Sequence, residues 1–184
     1  LVCLLPLGLQ AAKVDTLQVK SPSMNKSIEV VVVSPDVAAT KACPVIYLLH
    51  GYGGNARTWV GIKPDLSKIA DEKGIFFVCP DGKNTWYWDS PLNADVRYET
   101  FISNELVKYV DSHYKTVADR KGRAITGLSM GGHGAMWNGL RHSDVFSAAG
   151  STSGGVDIRP FPKNWEMSVQ IGEKAQYPDN WEKY

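Results

Sequence analysis

One stretch constrains this chain more than any other: Arg123-Ala124-Ile125-Thr126-Gly127-Leu128-Ser129-Met130-Gly131-Gly132-His133-Gly134-Ala135-Met136. It opens on a short apolar run, passes through Gly127-Leu128-Ser129-Met130-Gly131 and enters a segment rich in small residues. The order predicts a strand, a sharp turn and a helix, which is the setting of a G-x-S-x-G nucleophile elbow. A hydroxyl held at the tip of a strained turn needs neighbours without side chains, and Gly127 and Gly131 supply them. Met130, at the start of the helix, offers its backbone N–H where unpaired donors and the helix dipole favour an oxyanion. Ordinary glycine-rich turns give the same five letters by chance, so the motif needs a second element beside it.

That element lies upstream. Pro44-Val45-Ile46-Tyr47-Leu48-Leu49-His50-Gly51-Tyr52-Gly53-Gly54-Asn55 reads as a buried strand running into a glycine turn, where hydrolases of this kind place their second oxyanion donor. Cys79-Pro80-Asp81-Gly82 and Trp86-Tyr87-Trp88-Asp89-Ser90-Pro91 complete the pattern. Together these motifs resemble the Putative esterase (esterase D-like) family of α/β-hydrolases, from about Lys26 to the C-terminus. That family includes tributyrin, feruloyl and acetylxylan esterases, S-formylglutathione hydrolases and mycolyltransferases. The resemblance implies an α/β fold, a mostly parallel sheet with helices on both faces. It implies Ser129 as nucleophile, Met130 and Tyr52 as backbone N–H donors to the oxyanion, and no metal or organic cofactor.

The first twelve residues, Leu1 to Ala12, are apolar, uncharged and end in small residues before Lys13. They match the core and cleavage end of a secretory signal and are too short to span a bilayer. The expected organisation is therefore a signal remnant at 1–12 and an esterase domain at 13–184, secreted or periplasmic. Twenty basic and nineteen acidic residues give a net charge of +1 without a basic tract, which argues against a nucleic-acid or anionic-membrane partner. The expected partner is a small-molecule or polysaccharide-linked ester. Cys43 precedes one predicted strand and Cys79 ends another. Parallel neighbours would hold these thiols roughly 15–20 Å apart, beyond disulfide reach, so both are expected to be free and buried.

Asp15 to Lys20 and Lys26 to Ser34 read as antiparallel opening strands, and Ile75 to Cys79 as a strand covered on both faces. A helix is expected from Pro64, stopped at Gly74. The clearest helix spans Tyr98 to Tyr114, with Ile102, Leu106, Val110 and Tyr114 inward and Asn104, Lys108 and Asp111 towards water. Phe146 to Ser151 reads as a further short strand.

A serine nucleophile needs a base and a group that orients it, which in this class follow the serine in the order acid, then His. The resemblance places both beyond Tyr184, so the sheet is expected to lack its last strands and helix. His50 is expected to support the oxyanion loop, His133 to pack or meet solvent, and His113 and His142 to lie at the far ends of their helices. Asp157 is a possible acid. Trp86, Tyr87 and Trp88 follow a strand's carboxyl end, the edge where open α/β sheets bind ligands. With Gly51 and Gly53 they form the expected substrate wall; Trp165 and Trp181 read equally as core or pocket. The expected reaction is hydrolysis of short acyl or aryl esters through an acyl-enzyme on Ser129. The alternatives are an acyltransferase of the same fold and a carbohydrate-binding or scaffold protein without catalysis.

Overall fold

The computed structural model describes residues 12–184, so the leader reading of 1–12 falls, Ala12 apart, outside the described residues. The described strands form a sheet in the order β1-β2-β4-β3-β5-β6: β1 Lys13–Ser21, β2 Lys26–Ser34, β3 Val45–Leu49, β4 Phe76–Pro80, β5 Arg123–Leu128 and β6 Ala148–Thr152. The hairpin β1–β2 is antiparallel, and β2 pairs antiparallel with β4. From β4 through β3 and β5 to β6 every pairing is parallel.

The continuous apolar runs are explained by two cores, one on each face. Side chains alternate across a strand, so Val30 and Val32 of β2, Val45, Tyr47 and Leu49 of β3, and Phe76 and Val78 of β4 enter one core. Val31, Val33, Leu48, Phe77 and Cys79 enter the other. The first core is covered by α4 (Leu106–His113) and α5 (Met130–Arg141), the second by α2 (Leu66–Lys73). Cys43 and Cys79 are free and buried as expected, and burial pushes the Cys79 thiol up to about 12.

The details differ from the pattern in instructive places. Pro64 lies in a turn before α2, which begins at Leu66 and stops at Gly74 in a left-handed conformation. A short helix α1, Thr58–Ile62, precedes it. The Tyr98 helix is interrupted: α3 (Tyr98–Thr100) passes through a π turn at Phe101–Glu105 into α4, and Tyr114 is already extended. Ile102, Leu106 and Val110 are buried, but Asp111 does not simply face water. It bonds Thr116 Oγ1 at 2.7 Å and pairs with Arg123. Phe146 stops short of β6 and packs edge-on to Tyr47. The short helices α6 (Met167–Ile171) and α7 (Pro178–Lys183) gave no periodic signal in the sequence.

A buried carboxylate ties α3 to the end of α5. Glu99 accepts hydrogen bonds from Trp137 Nε1 (2.7 Å), Arg141 Nε (2.9 Å) and His142 Nε2 (2.8 Å). Burial alone would raise its carboxyl, but these donors outweigh it and hold it below the ordinary 4.5. Its contribution to stability is thus complete above about pH 5 and is lost as pH falls through the depressed value. Glu99→Gln is expected to cost about 1–3 kcal/mol at pH 7, with the deficit shrinking below pH 4. Urea denaturation of both chains at the two pH values measures it.

Candidate active site

Ser129 is the hinge between β5 and α5. It is the N-cap of α5 with φ 52° and ψ −119°, in the left-handed half of backbone space that a residue with a Cβ avoids. Two bonds hold it there: its N–H donates to Thr152 O (2.8 Å), and its carbonyl accepts from His133 N (3.0 Å). The flanking glycines are required by contact as much as by conformation. A Cβ on Gly127 would lie 2.3 Å from Gly131 O, and one on Gly131 would lie 2.2 Å from Leu49 O. The start of α5 therefore rests directly on the backbone of β5 and β3, which brings Ser129 beside the loop that leaves β3.

That loop is a β-turn from Gly51 to Gly54, closed by Gly54 N–H donating to Gly51 O at 3.0 Å. Gly53, with φ 75°, has the conformation of the third residue of a type II turn. The turn is anchored from below by His50. Gly82 N–H donates to His50 Nε2 (2.9 Å), so the proton of the neutral ring is on Nδ1, which donates to Gly51 O (2.7 Å). Tyr87 Oη donates to His50 O (3.0 Å). The Tyr52 N–H, at the second position of the turn, and the Met130 N–H, in the first turn of α5, are both positions that turn and helix geometry leave unpaired.

Tyr52, Ser129 and Met130 line a cavity of about 250 Å³ whose other walls include Trp86, Ile158, Phe161, Trp165 and Met167. Trp86 is among these lining residues and is also packed in the core cluster, 4 % exposed. Tyr87 and Trp88 do not line this cavity, and the wall reading is corrected for both. The Tyr87 ring fills space left by Gly82 and Gly134, where an added Cβ would come within 2.1 and 2.4 Å of it. Trp88 stacks beneath Trp86 and donates its Nε1–H to His133 Nε2 at 2.9 Å. Both rings are wholly buried. Trp86 and Tyr87 both have positive φ, which no sequence period announces. Trp165 lines the cavity, whereas Trp181 is core, donating to Gly172 O. Gly51 supplies a carbonyl to the turn and Gly53 its bend. Ile158, Phe161 and Met167, which the sequence reading missed, arrive from the non-periodic segment after β6.

Backbone strain concentrates here. Asn25 apart, the non-glycine residues with positive φ are Lys83, Trp86, Tyr87, Ser129, Ser153, Trp165 and Glu166. All belong to the segments that wall this cavity.

The four histidines are committed elsewhere. His50 has both ring nitrogens bonded, Nδ1 to Gly51 O in the turn and Nε2 to Gly82 N–H in the loop after β4. His133 accepts from Trp88 and donates from Nδ1 to Gly155 O (2.6 Å), and burial lowers its pKa despite that bond. His142 bonds Glu99, and His113 stacks on Tyr109 at 4.0 Å. Asp157 lines the cavity but is paired with Arg159 Nε at 2.8 Å, whose hydrogen bonds hold its carboxyl below the ordinary range. Among the described residues, no group of three His, Cys, Asp or Glu side chains is placed to hold a metal ion, and no helix is long and apolar enough to cross a membrane.

A mostly parallel sheet with helices on both faces, carrying a strained serine between strand and helix, defines an α/β-hydrolase. The sequence profile described as "Putative esterase" matches residues 21–184, and the chain belongs to that family. It is 31% identical over 149 residues to the esterase Rv1288 of Mycobacterium tuberculosis, a match covering 77% of this chain and 32% of that protein. It is 32% identical over 158 residues to the diacylglycerol acyltransferase/mycolyltransferase Ag85A of Mycobacterium leprae, covering 78% of this chain and 44% of that one. A solved ferulic acid esterase superposes with a TM-score of 0.74 at 29% identity, over 93% of this chain and 69% of that chain. The chain thus spans about a third of the length of the first relative and under half of the second.

Proposed function

We propose that the protein is a serine carboxylic ester hydrolase acting on short acyl or aryl esters, and that Ser129 carries the acyl group. The observation that carries this reading is the position of Ser129, strained at the mouth of an apolar cavity beside two unpaired backbone donors. Ser129 Oγ attacks the ester carbonyl as a base takes its proton. The carbonyl oxygen gains negative charge and accepts from the N–H groups of Tyr52 and Met130, where fixed donors cost no reorganisation. Collapse of the tetrahedral adduct breaks the ester C–O bond, returns the proton to the departing alcohol and leaves an acyl-Ser129. Water, deprotonated by the same base, then releases the acid.

Because His50, His113, His133 and His142 are committed elsewhere, the base is assigned to a histidine outside residues 12–184, oriented by a carboxylate also outside them. Trp86, Phe161 and Trp165 offer flat apolar surface suited to an aryl or short acyl group. No metal or organic cofactor has a step in this sequence. The apolar leader supports a secreted or periplasmic location.

A fluorophosphonate probe tests the reading, since it loses fluoride to an activated serine. In the full-length protein the phosphonyl adduct is expected on the peptide containing Ser129, and it is expected to vanish in Ser129→Ala. A folded protein without the adduct would overturn the hydrolase reading in favour of a non-catalytic binding role. The similarity to a mycolyltransferase supports a second reading, in which a sugar hydroxyl replaces water in the last step. Adding an alcohol or sugar acceptor to the assay and measuring acylated acceptor against free acid separates the two.

A further inference from the structure

We propose that Asn84 is a positioning residue for the oxyanion turn, fixing the peptide that follows Tyr52; this rests on the ester-transfer reading of Ser129. The turn Gly51–Gly54 has a weak point. Types I and II turns differ mainly by a flip of the central peptide, here the one joining Tyr52 to Gly53. Glycine at the third position permits either form, and an added Cβ on Gly53 would meet nothing within 4 Å, so local packing does not choose between them. Asn84 does. Its Oδ1 accepts the Gly53 N–H at 2.9 Å, and a flip would turn a carbonyl oxygen towards that acceptor instead.

The carboxamide is itself oriented. Its Nδ2 donates to Glu166 Oε2 at 3.4 Å, and an N–H on one side with a carboxylate on the other allows only one way round. The Asn84 carbonyl accepts from Gln170 Nε2 at 3.5 Å. The next two residues along are pinned as well. Thr85 Oγ1 donates to Gly82 O at 2.6 Å, and Trp86 Nε1 donates to Trp165 O at 3.1 Å. One side chain therefore joins the turn that offers Tyr52 N–H to the segment that brings Trp165 to the far wall of the cavity. His50 holds the turn from the buried side, and Asn84 holds it from the solvent side. The flip turns the peptide after Tyr52 and leaves the Tyr52 N–H, on the peptide before it, in the turn. The donor is shifted by the altered turn rather than removed, so the loss should be smaller than the 10²–10³-fold seen when an oxyanion donor is deleted.

The test uses the full-length protein and p-nitrophenyl acetate, with active sites counted by fluorophosphonate titration so that misfolded chains drop out of the rate. Asn84→Ala is expected to lower kcat per titrated site about tenfold with KM within about twofold, since the donor matters most as charge develops. Affinity for a trifluoromethyl ketone, which forms an oxyanion adduct with the serine, is expected to fall in proportion to kcat/KM. A merely structural role would lower the titrated fraction and leave the rate of each remaining site alone. Asn84→Asp, made together with Glu166→Gln so that two carboxylates do not meet, keeps the shape and the acceptor and is expected to lose less than Asn84→Ala; it also serves where the alanine variant does not fold. Ser129→Ala is run beside them. If it keeps the parent rate, the ester-transfer reading fails and this inference with it. If it is inactive while Asn84→Ala and Asn84→Asp match the parent per titrated site, the inference about Asn84 alone is overturned.

Discussion

Full-length protein carrying Ser129→Ala is expected to hydrolyse p-nitrophenyl acetate at least about 10⁴-fold more slowly than the parent, by analogy with removal of a serine nucleophile in a well-studied protease. The size of the effect follows from the placement of Ser129. In the cavity that it lines with Tyr52 and Met130, alanine would leave the backbone donors and walls in place but remove the hydroxyl proposed to form the acyl bond. What remains is binding and oxyanion stabilisation, good for roughly 10³-fold over water in that protease. Stability should change little, because the strained conformation at 129 is as open to alanine as to serine. A chain of residues 13–184 is expected to fall to the same residual level with Ser129 intact, since every histidine in it is bonded away from the nucleophile. Rates of the two chains, each beside its Ser129→Ala control, decide this. Turnover by 13–184 that matches the longer chain, and is lost in Ser129→Ala, would place the base within the described residues.

How far the sequence could be read depended on whether a feature was local. The Gly127-to-Gly131 turn, the apolar runs of β2, β3 and β4 and the Gly74 stop are each specified by a few adjacent residues, and each folds as the pattern implies. The Trp86-Tyr87-Trp88 triplet was not legible in this way. Tyr87 parts from the stacked Trp86 and Trp88 because it is drawn inward by His50 O and by room at Gly82 and Gly134, and His50 and Gly134 lie far along the chain. The π turn at Phe101–Glu105 leaves the four-residue spacing of Ile102, Leu106 and Val110 intact, so periodicity does not report it. Phe161 and Met167 reach the cavity on a segment held by single tertiary bonds such as Trp86 Nε1 to Trp165 O. Such a segment has no period to find. Asn84 was invisible for a related reason: an asparagine in a polar loop is ordinary until its partner at Gly53 is seen.

The elbow's geometry also predicts a large loss of stability from one methyl group. Gly131→Ala would place a Cβ 2.2 Å from Leu49 O, 2.5 Å from Leu49 C and 2.6 Å from His50 O. These are backbone atoms of β3 and the residue after it, and Leu49 pairs with Gly127 in the sheet, so they cannot rotate aside as a side chain would. α5 must instead lift off the strand, which parts it from the apolar contacts of Met130 and Ala135. The expected cost is about 3 kcal/mol or more, at the upper end of overpacking, out of a total of about 5–15 kcal/mol for a typical domain. The same lift moves Met130 N–H away from Ser129 and the Gly51–Gly54 turn, so fluorophosphonate labelling is expected to slow in whatever fraction stays folded. Gly61→Ala is the control. Gly61 sits in α1 with open space around it, and alanine there should be neutral or stabilise by up to about 1 kcal/mol. Urea midpoints of the two variants, read against the parent, test the claim. A Gly131→Ala protein within about 1 kcal/mol of the parent, still labelled at Ser129 at the parent rate, would mean that the elbow does not need its backbone so close to β3.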